Sequence, residues 1–251
     1  MAEKICIIGE SGSGKSTSLR NMDPKETFVL GIVKKSLPIK GSRRKFKPFG
    51  LTSKEAFMGN HISGIREFNA GKPMADYQKV IYAMQLISQK RPDIKTLVID
   101  DLQYLMSIEF VDRATEKGFD KFSELAQHIM KVIQYADVLR DDLTVIFMTH
   151  SENAGTPMEP ILKIKTIGRM LDEKVTLEGL FTYVMFSKVI EEDAELGKFK
   201  YVFVTNNDGE CVAKTPYGVF DELYIDNDLN AALEKINKYE YGDDEEEEIS
   251  E

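Results

Sequence analysis

The chain has 251 residues, 42% of them hydrophobic and 30% charged, which is enough to bury one sizeable core and short for two independent domains. Of the formal charge of −9, seven units come from the carboxylates of Asp243–Glu251, so the remainder sums to −2 and the body is near neutral. No apolar run approaches the roughly 18 to 20 residues of a membrane span, and MAEKICIIGE has no basic leader or cleavage site, so the sequence predicts a soluble cytoplasmic protein with no membrane partner.

Residues 4 to 8 (KICII) predict a fully buried strand. The next eight residues, Gly9-Glu10-Ser11-Gly12-Ser13-Gly14-Lys15-Ser16, follow the pattern G-x-x-x-x-G-K-[ST], and residues 15 to 22 predict a short helix that opens on this loop. Small residues let successive backbone N–H groups point into one concavity, and the helix start adds its positive end. Lys15 then reaches the β- and γ-phosphates of ATP, Ser16 offers its hydroxyl to Mg²⁺, and Thr17 completes the binding surface. The plainer alternative is an accidental Gly-rich turn, which the strand-to-helix position argues against.

FVLGIV at 28 to 33 predicts a second buried strand. No acid occurs between Glu26 and Glu55, while Lys34, Lys35, Lys40, Arg43, Arg44, Lys45 and Lys47 fall close together, with Phe46 and Phe49 among them. Cations for phosphates and aromatic rings for stacking make this the candidate contact for single-stranded DNA, with steep salt dependence. A solvated loop, or a loop over the nucleotide or against a neighbouring subunit, is the alternative. The Gly- and Pro-rich stretch from 50 to 75 gives no assignment beyond loops and a short helix.

Tyr77, Val80, Ile81, Met84 and Ile87 predict a helix that stops before Pro92. TLVID at 96 to 100 predicts a buried strand ending in Asp100-Asp101. Asp100 is the candidate second ligand of Mg²⁺ opposite Ser16, and Asp101 the candidate to orient or deprotonate the attacking water; a capping carboxylate is the bland reading of Asp101. An amphipathic helix follows over about 120 to 140. The strand at 143 to 150 runs into Thr149-His150-Ser151-Glu152, where Thr149 or His150 could sense the γ-phosphate and Glu152 is a rival base. Residues 181 to 189 and 199 to 205, with the turn Asn206–Gly209 leading into Glu210–Lys214, predict late antiparallel strands. Residues 228 to 239 predict a last helix, and the acidic tail is too charged to fold alone. The division is thus a core over 1–225, a C-terminal helix over 226–242 and a disordered tail over 243–251. Cys6 and Cys211 read as buried, unpaired thiols, and His61, His128 and His150 show no zinc-type spacing.

GESGSGKS, LVIDD, MTHSEN, Ala213–Gly218 and Lys35–Gly41 together resemble the short RecA-type ATPases encoded by bacteriophages, of the nucleotide-binding or AAA family, some of them RecA-core-like single-strand annealing proteins. The resemblance spans nearly the whole chain, and the phosphate loop is its most specific part. It implies a RecA-like α/β P-loop NTPase with a mostly parallel sheet, flanked by helices and finished by antiparallel strands. It further implies an ATPase of phage DNA recombination or replication that uses Mg-ATP, binds single-stranded DNA as a homo-oligomer and works in the host cytoplasm. Lys214 would be a finger acting on a neighbour's nucleotide. Two departures stand out: no Arg follows Lys214 in Thr215-Pro216-Tyr217, and FVLGIV ends in Lys34-Lys35 where RecA offers a catalytic Glu. The base role therefore falls on Asp101 or Glu152, and slow hydrolysis is expected. The alternatives are a nucleotide-dependent scaffold with little turnover and a small P-loop kinase. The tail is expected to compete with DNA for the basic segment, to dock a protein partner or simply to solubilise.

Overall fold

The computed structural model describes residues 2–33, 35–46, 49–50, 74–193 and 196–242. The expectations for Lys34, Lys47, residues 51–73 and the acidic tail lie outside the described residues, as does any stacking role for the Phe49 side chain.

The chain forms β1 (Glu3–Gly9), a 3-10 helix (Ser16–Asn21), β2 (Thr27–Gly31), the single turn α1 (Ser42–Lys45), β3 (Phe49–Gly50), α2 (Asp76–Lys90), β4 (Thr96–Asp100), α3 (Tyr104–Asp112) and α4 (Asp120–Tyr135). It continues through β5 (Thr144–Asn153), β6 (Leu162–Ile164), β7 (Tyr183–Asp193), β8 (Lys198–Val204), β9 (Tyr224–Asp226) and α5 (Leu229–Tyr241). Among the described residues the sheet runs β3-β2-β4-β5-β1-β7-β8-β9, with β6 attached to β5. The strands from β3 to β7 are parallel, whereas β8 and β9 join by antiparallel pairing. This is the architecture the sequence predicts, a mostly parallel α/β sheet flanked by helices, with late antiparallel strands.

β1 occupies the centre because both of its faces are apolar. Ile5 and Ile7 pack with Leu19 of the 3-10 helix and with Leu229, Leu233 and Ile236 of α5, whereas Cys6 and Ile8 pack with Leu125, Ile129 and Val132 of α4. Helices therefore cover the sheet on both sides, as parallel strands require. Each fully buried Leu or Ile in these layers contributes roughly 1.5–3 kcal/mol of transfer free energy. Cys6 and Cys211 are both buried, and burial pushes both thiols up, that of Cys211 to about 11. No described helix is long and apolar enough to cross a membrane.

Three elements differ from the sequence expectation. The helix after the phosphate loop is 3-10 and ends at Asn21, since Asp23-Pro24 leaves too little chain for longer α-helix. α3, with Leu105 and Met106 buried, has no sequence counterpart above. Glu210–Lys214 is not the hairpin partner of β8: it makes only isolated bridges, from Cys211 to Leu162 and from Lys214 to Val184, and β9 pairs with β8 instead. The cause lies at Asp208, whose carboxylate accepts the Glu210 and Cys211 amides at 3.0 and 3.1 Å and so turns the chain aside.

Lys188 of β7 meets the same carboxylate at 2.5 Å and Glu210 at 3.0 Å. Burial raises the Asp208 carboxyl, but Lys188, the Glu210 amide and the Cys211 thiol outweigh it and hold it at about 2. Because the folded value lies below the unfolded one, this stabilisation is complete above about pH 4 and is lost as pH falls towards 2. Asp208→Asn should therefore cost roughly 1 kcal/mol at pH 7, after allowance for solvent screening, and this difference from the native chain should shrink in urea melts as pH falls from about 4 towards 2.

Candidate functional site

In the sheet, β1 lies between β5, whose further neighbours are β4 and β2, and β7 on the other side, so the strand order reverses there. A crevice at the carboxyl ends of parallel strands opens at such a reversal. The loop after β1 is built into it. Gly14 has φ of +102°, and a Cβ there would lie 2.8 Å from the Tyr201 ring. Gly9 is equally confined: a Cβ would lie 2.5 Å from the Ser13 hydroxyl and 2.6 Å from the Ser187 carbonyl. Ser187 of β7 donates from Oγ to the Ser13 carbonyl at 2.7 Å, and Asn227 Nδ2 donates to that same Oγ at 3.0 Å. The loop is thereby tied to β7 and to the chain leading into α5. Arg20 and Asn21 reinforce the tie by donating to the Asn227 carbonyl and the Asp228 carboxylate.

Lys15 is buried, and its ammonium donates to the carbonyls of Gly9 and Glu10 at 2.7 Å each. Burial lowers its pKa to about 8, while the Asp100 and Asp101 carboxylates act in the opposite sense. Ser16 Oγ donates to Asp100 at 3.0 and 3.3 Å to its two oxygens. Burial, and then the Asp101 charge, raise the Asp100 carboxyl. This pair is a hard-oxygen set of the kind Mg²⁺ takes, and Asp100, desolvated beside a second carboxylate, gains from a cation there. The cradle fits phosphate as well, because the Ser13 hydroxyl is buried with no hydrogen-bond partner among the described residues and Gly12, at φ of +82°, has nothing within 4 Å of where a Cβ would stand.

Asp101 is the only non-glycine among the described residues with positive φ, at 64°. Its backbone is held by neighbours on both sides: Ile32 donates to the Asp100 carbonyl at 3.1 Å and Leu102 to the Met148 carbonyl at 2.9 Å. The side chain is 2% exposed, contacts the Lys35 ammonium and lies 3.5 Å from His150 Nε2. Burial raises its carboxyl, but hydrogen bonds from His150 and then Lys35 overcome that and hold it below the usual range.

These groups line a cleft of about 380 Å³ with the phosphate loop, Lys35, Asp101, His150 and Tyr201 on its walls. Strand alternation separates the two residues proposed as phosphate sensors. His150 shares the face of Met148, which packs with Leu19 under the loop, whereas Thr149 shares the opposite face with Phe147. Thr149 is 1% exposed and does not line the cleft. Glu152 lies farther along β5, where it meets Lys163 at 3.7 Å and the Thr166 amide and hydroxyl at 3.4 Å. Lys214 is exposed and pairs its backbone with Val184, away from the cleft wall. Of the basic segment, Lys40, Arg43, Arg44 and Lys45 are exposed, whereas Lys35 reaches into the cleft. Phe46 is 3% exposed and packs with Val29 and Leu37, so it is not free to stack on a base. Tyr201 and Gln103 were not visible as site residues in the sequence. Tyr201 reaches the loop only because β8 folds back along β7, and Gln103 accepts the His150 amide at 3.2 Å from across the β4–β5 edge.

A family profile described as an AAA domain matches residues 1–217. Among solved structures, the chain is similar to a KaiC-like protein from the hyperthermophilic archaeon Pyrococcus horikoshii OT3, at 13% identity and a TM-score of 0.43, over 80% of this chain and 78% of that one. No curated protein matches the chain in sequence.

Gly14→Ala places a methyl against Tyr201 at a positive φ, so it should lower stability by about 1–2 kcal/mol and weaken binding of a fluorescent ATP analogue at least tenfold. Thermal melts and a binding titration on the same preparation check both effects.

Proposed function

Because the chain belongs to the AAA domain family, we propose that it binds Mg-ATP in the cleft beneath Gly9–Ser16 and hydrolyses it slowly, as a homo-oligomeric ATPase acting on single-stranded DNA in phage recombination or replication. The observation that carries the ATP-binding part is the contact of Ser16 with Asp100, which brings the phosphate-loop hydroxyl and the acid of a second strand together from 84 residues apart.

Backbone amides of the loop and the Lys15 ammonium hold the phosphates, and binding withdraws Lys15 from the Gly9 and Glu10 carbonyls. Ser16 and Asp100 would hold Mg²⁺, which supplies charge neutralisation at the phosphates. Asp101 is the residue in place to orient the water and accept its proton, since it lines the cleft and Glu152 is engaged on the β5–β6 hairpin. His150 positions that carboxylate from 3.5 Å. Tyr201, half exposed on the cleft wall, is suited to meet an aromatic base. The DNA part of the reading is supported by the exposed Arg43, Arg44 and Lys45 on α1, three cations in succession. Oligomerisation and phage origin come from the sequence resemblance.

One observation favours the scaffold reading, in which ATP binds and scarcely turns over: the carboxylate of Asp101 is already engaged by Lys35 and His150. Phosphate release with and without an oligonucleotide separates the two. DNA stimulation is the expected result; tight ATP binding without release identifies the scaffold, and turnover only with a small acceptor identifies a kinase. Lys15→Ala should weaken ATP binding at least 100-fold with little change in melting temperature. Replacing Arg43, Arg44 and Lys45 by Ala should flatten the salt dependence of oligonucleotide binding by about three phosphate contacts, and an unchanged slope would remove DNA from the proposal.

A further inference from the structure

We propose that Lys35 is a γ-phosphate-binding and catalytic residue acting within its own subunit, which passes from the Asp101 carboxylate to the terminal phosphate when ATP is bound. The inference rests on the ATP-site reading above and assigns to this chain a cation that the phosphate-loop pattern does not contain.

Ile32 continues β2 beyond Gly31 by donating to the Asp100 carbonyl at 3.1 Å, which carries the chain past the ends of β2 and β4. The segment after it is pinned on the loop side of the sheet by Leu37 and Phe46, 4% and 3% exposed, and by Ser42, whose hydroxyl donates to the Leu37 carbonyl at 2.9 Å. Gly41, at φ of +76°, makes the turn into α1. Between these anchors Lys35, Ser36 and Pro38 are left on the cleft wall opposite Lys15 and Ser16. The Lys35 ammonium meets a carboxylate that is 2% exposed.

Charge makes the same point. Asp100 and Asp101 are consecutive buried carboxylates, and a triphosphate brings about four further negative charges to them. Lys15 and Lys35 are the two lysines on the described wall of the cleft. With Lys35 kept on Asp101, the terminal phosphate would face an acid and its counter-ion; with Lys35 moved by one side-chain rotation, the phosphate gains the cation and Asp101 gains a free oxygen. The side chain is 46% exposed, so this exchange needs no opening of the core. Lys214, the finger implied by resemblance, is off the cleft wall, so the cation available within the subunit is Lys35.

In the hydrolytic step the water oxygen forms a bond to Pγ while the bond from Pγ to the β,γ-bridging oxygen breaks, and that electron pair leaves on ADP. The water proton passes to Asp101 and then to solvent. Lys35 keeps all three of its protons and stabilises the charge on the γ-phosphate oxygens throughout.

The test is the ratio of ATP to ADP affinity, because only ATP offers the group that Lys35 would bind. Wild-type, Lys35→Met, Lys35→Arg and Lys15→Ala chains are titrated with ATP and ADP in Mg²⁺, and hydrolysis is followed in parallel. Lys35→Met should hold ADP within about twofold, lose at least tenfold in ATP affinity and lose about 100-fold in turnover, while Lys35→Arg recovers most of the ATP preference. Equal changes for both nucleotides, unchanged ATP affinity or unchanged turnover in Lys35→Met would overturn the assignment. If wild type binds both nucleotides equally, this inference fails while the ATP site stands; if wild type binds neither, the ATP site fails and takes the inference with it.

Discussion

A loop of backbone amides grips phosphate only if it is held open against its own tendency to collapse, and here that constraint is met by a strand with no free edge. β1 is hydrogen-bonded to β5 and β7, and Ile5, Cys6, Ile7 and Ile8 are fully buried between helical layers. Gly9 therefore emerges at a fixed point, and the Ser187–Ser13 bond fixes the loop again four residues later. The Lys15 ammonium spans the loop from inside. Several of the strongest requirements of the fold meet at this point: a glycine with no space for Cβ, a buried lysine with a lowered pKa, and a tie to α5 through Asn227. The C-terminal helix thus belongs to the same core as the loop, since Leu229, Leu233 and Ile236 pack on the layer that supports Leu19.

The second requirement is charge. Two adjacent carboxylates at a sheet edge are costly unless cations and hydrogen bonds compensate them. The chain separates their circumstances: Asp100, at the end of β4, meets the Ser16 hydroxyl and is pushed up, while Asp101, turned by its positive φ, meets Lys35 and His150 and is held down. Adjacent acids with opposed shifts are suited to different tasks, one toward a metal and one toward a proton.

Much of this was legible in the sequence because local patterns carried it. The phosphate loop, the acid-ended strand at 96 to 100 and the strand leading to His150 are short continuous segments whose residue order already states their geometry. What the sequence hid depends on contacts between distant segments. Thr149 and His150 are equivalent in sequence, and only the packing of Met148 and Phe147 on opposite faces separates them. Lys35 looked like one of seven cations until Leu37 and Phe46 anchored its loop. Phe46 looked like a stacking ring because apolar residues in a basic run carry no sign of burial. The strand expected at 210 to 214 was displaced by the turn at Asp208, and β9, only three residues long, has too little pattern to announce itself.

The proposed function requires phosphate to bind where β1, β4 and β5 end. Amide hydrogen exchange with and without Mg-ATP tests it most directly. Slowed exchange is expected at Gly9–Thr17, around Asp100-Asp101 and near His150, with the far end of the sheet unchanged. Protection that avoids Gly9–Thr17, or none at saturating Mg-ATP, would contradict it.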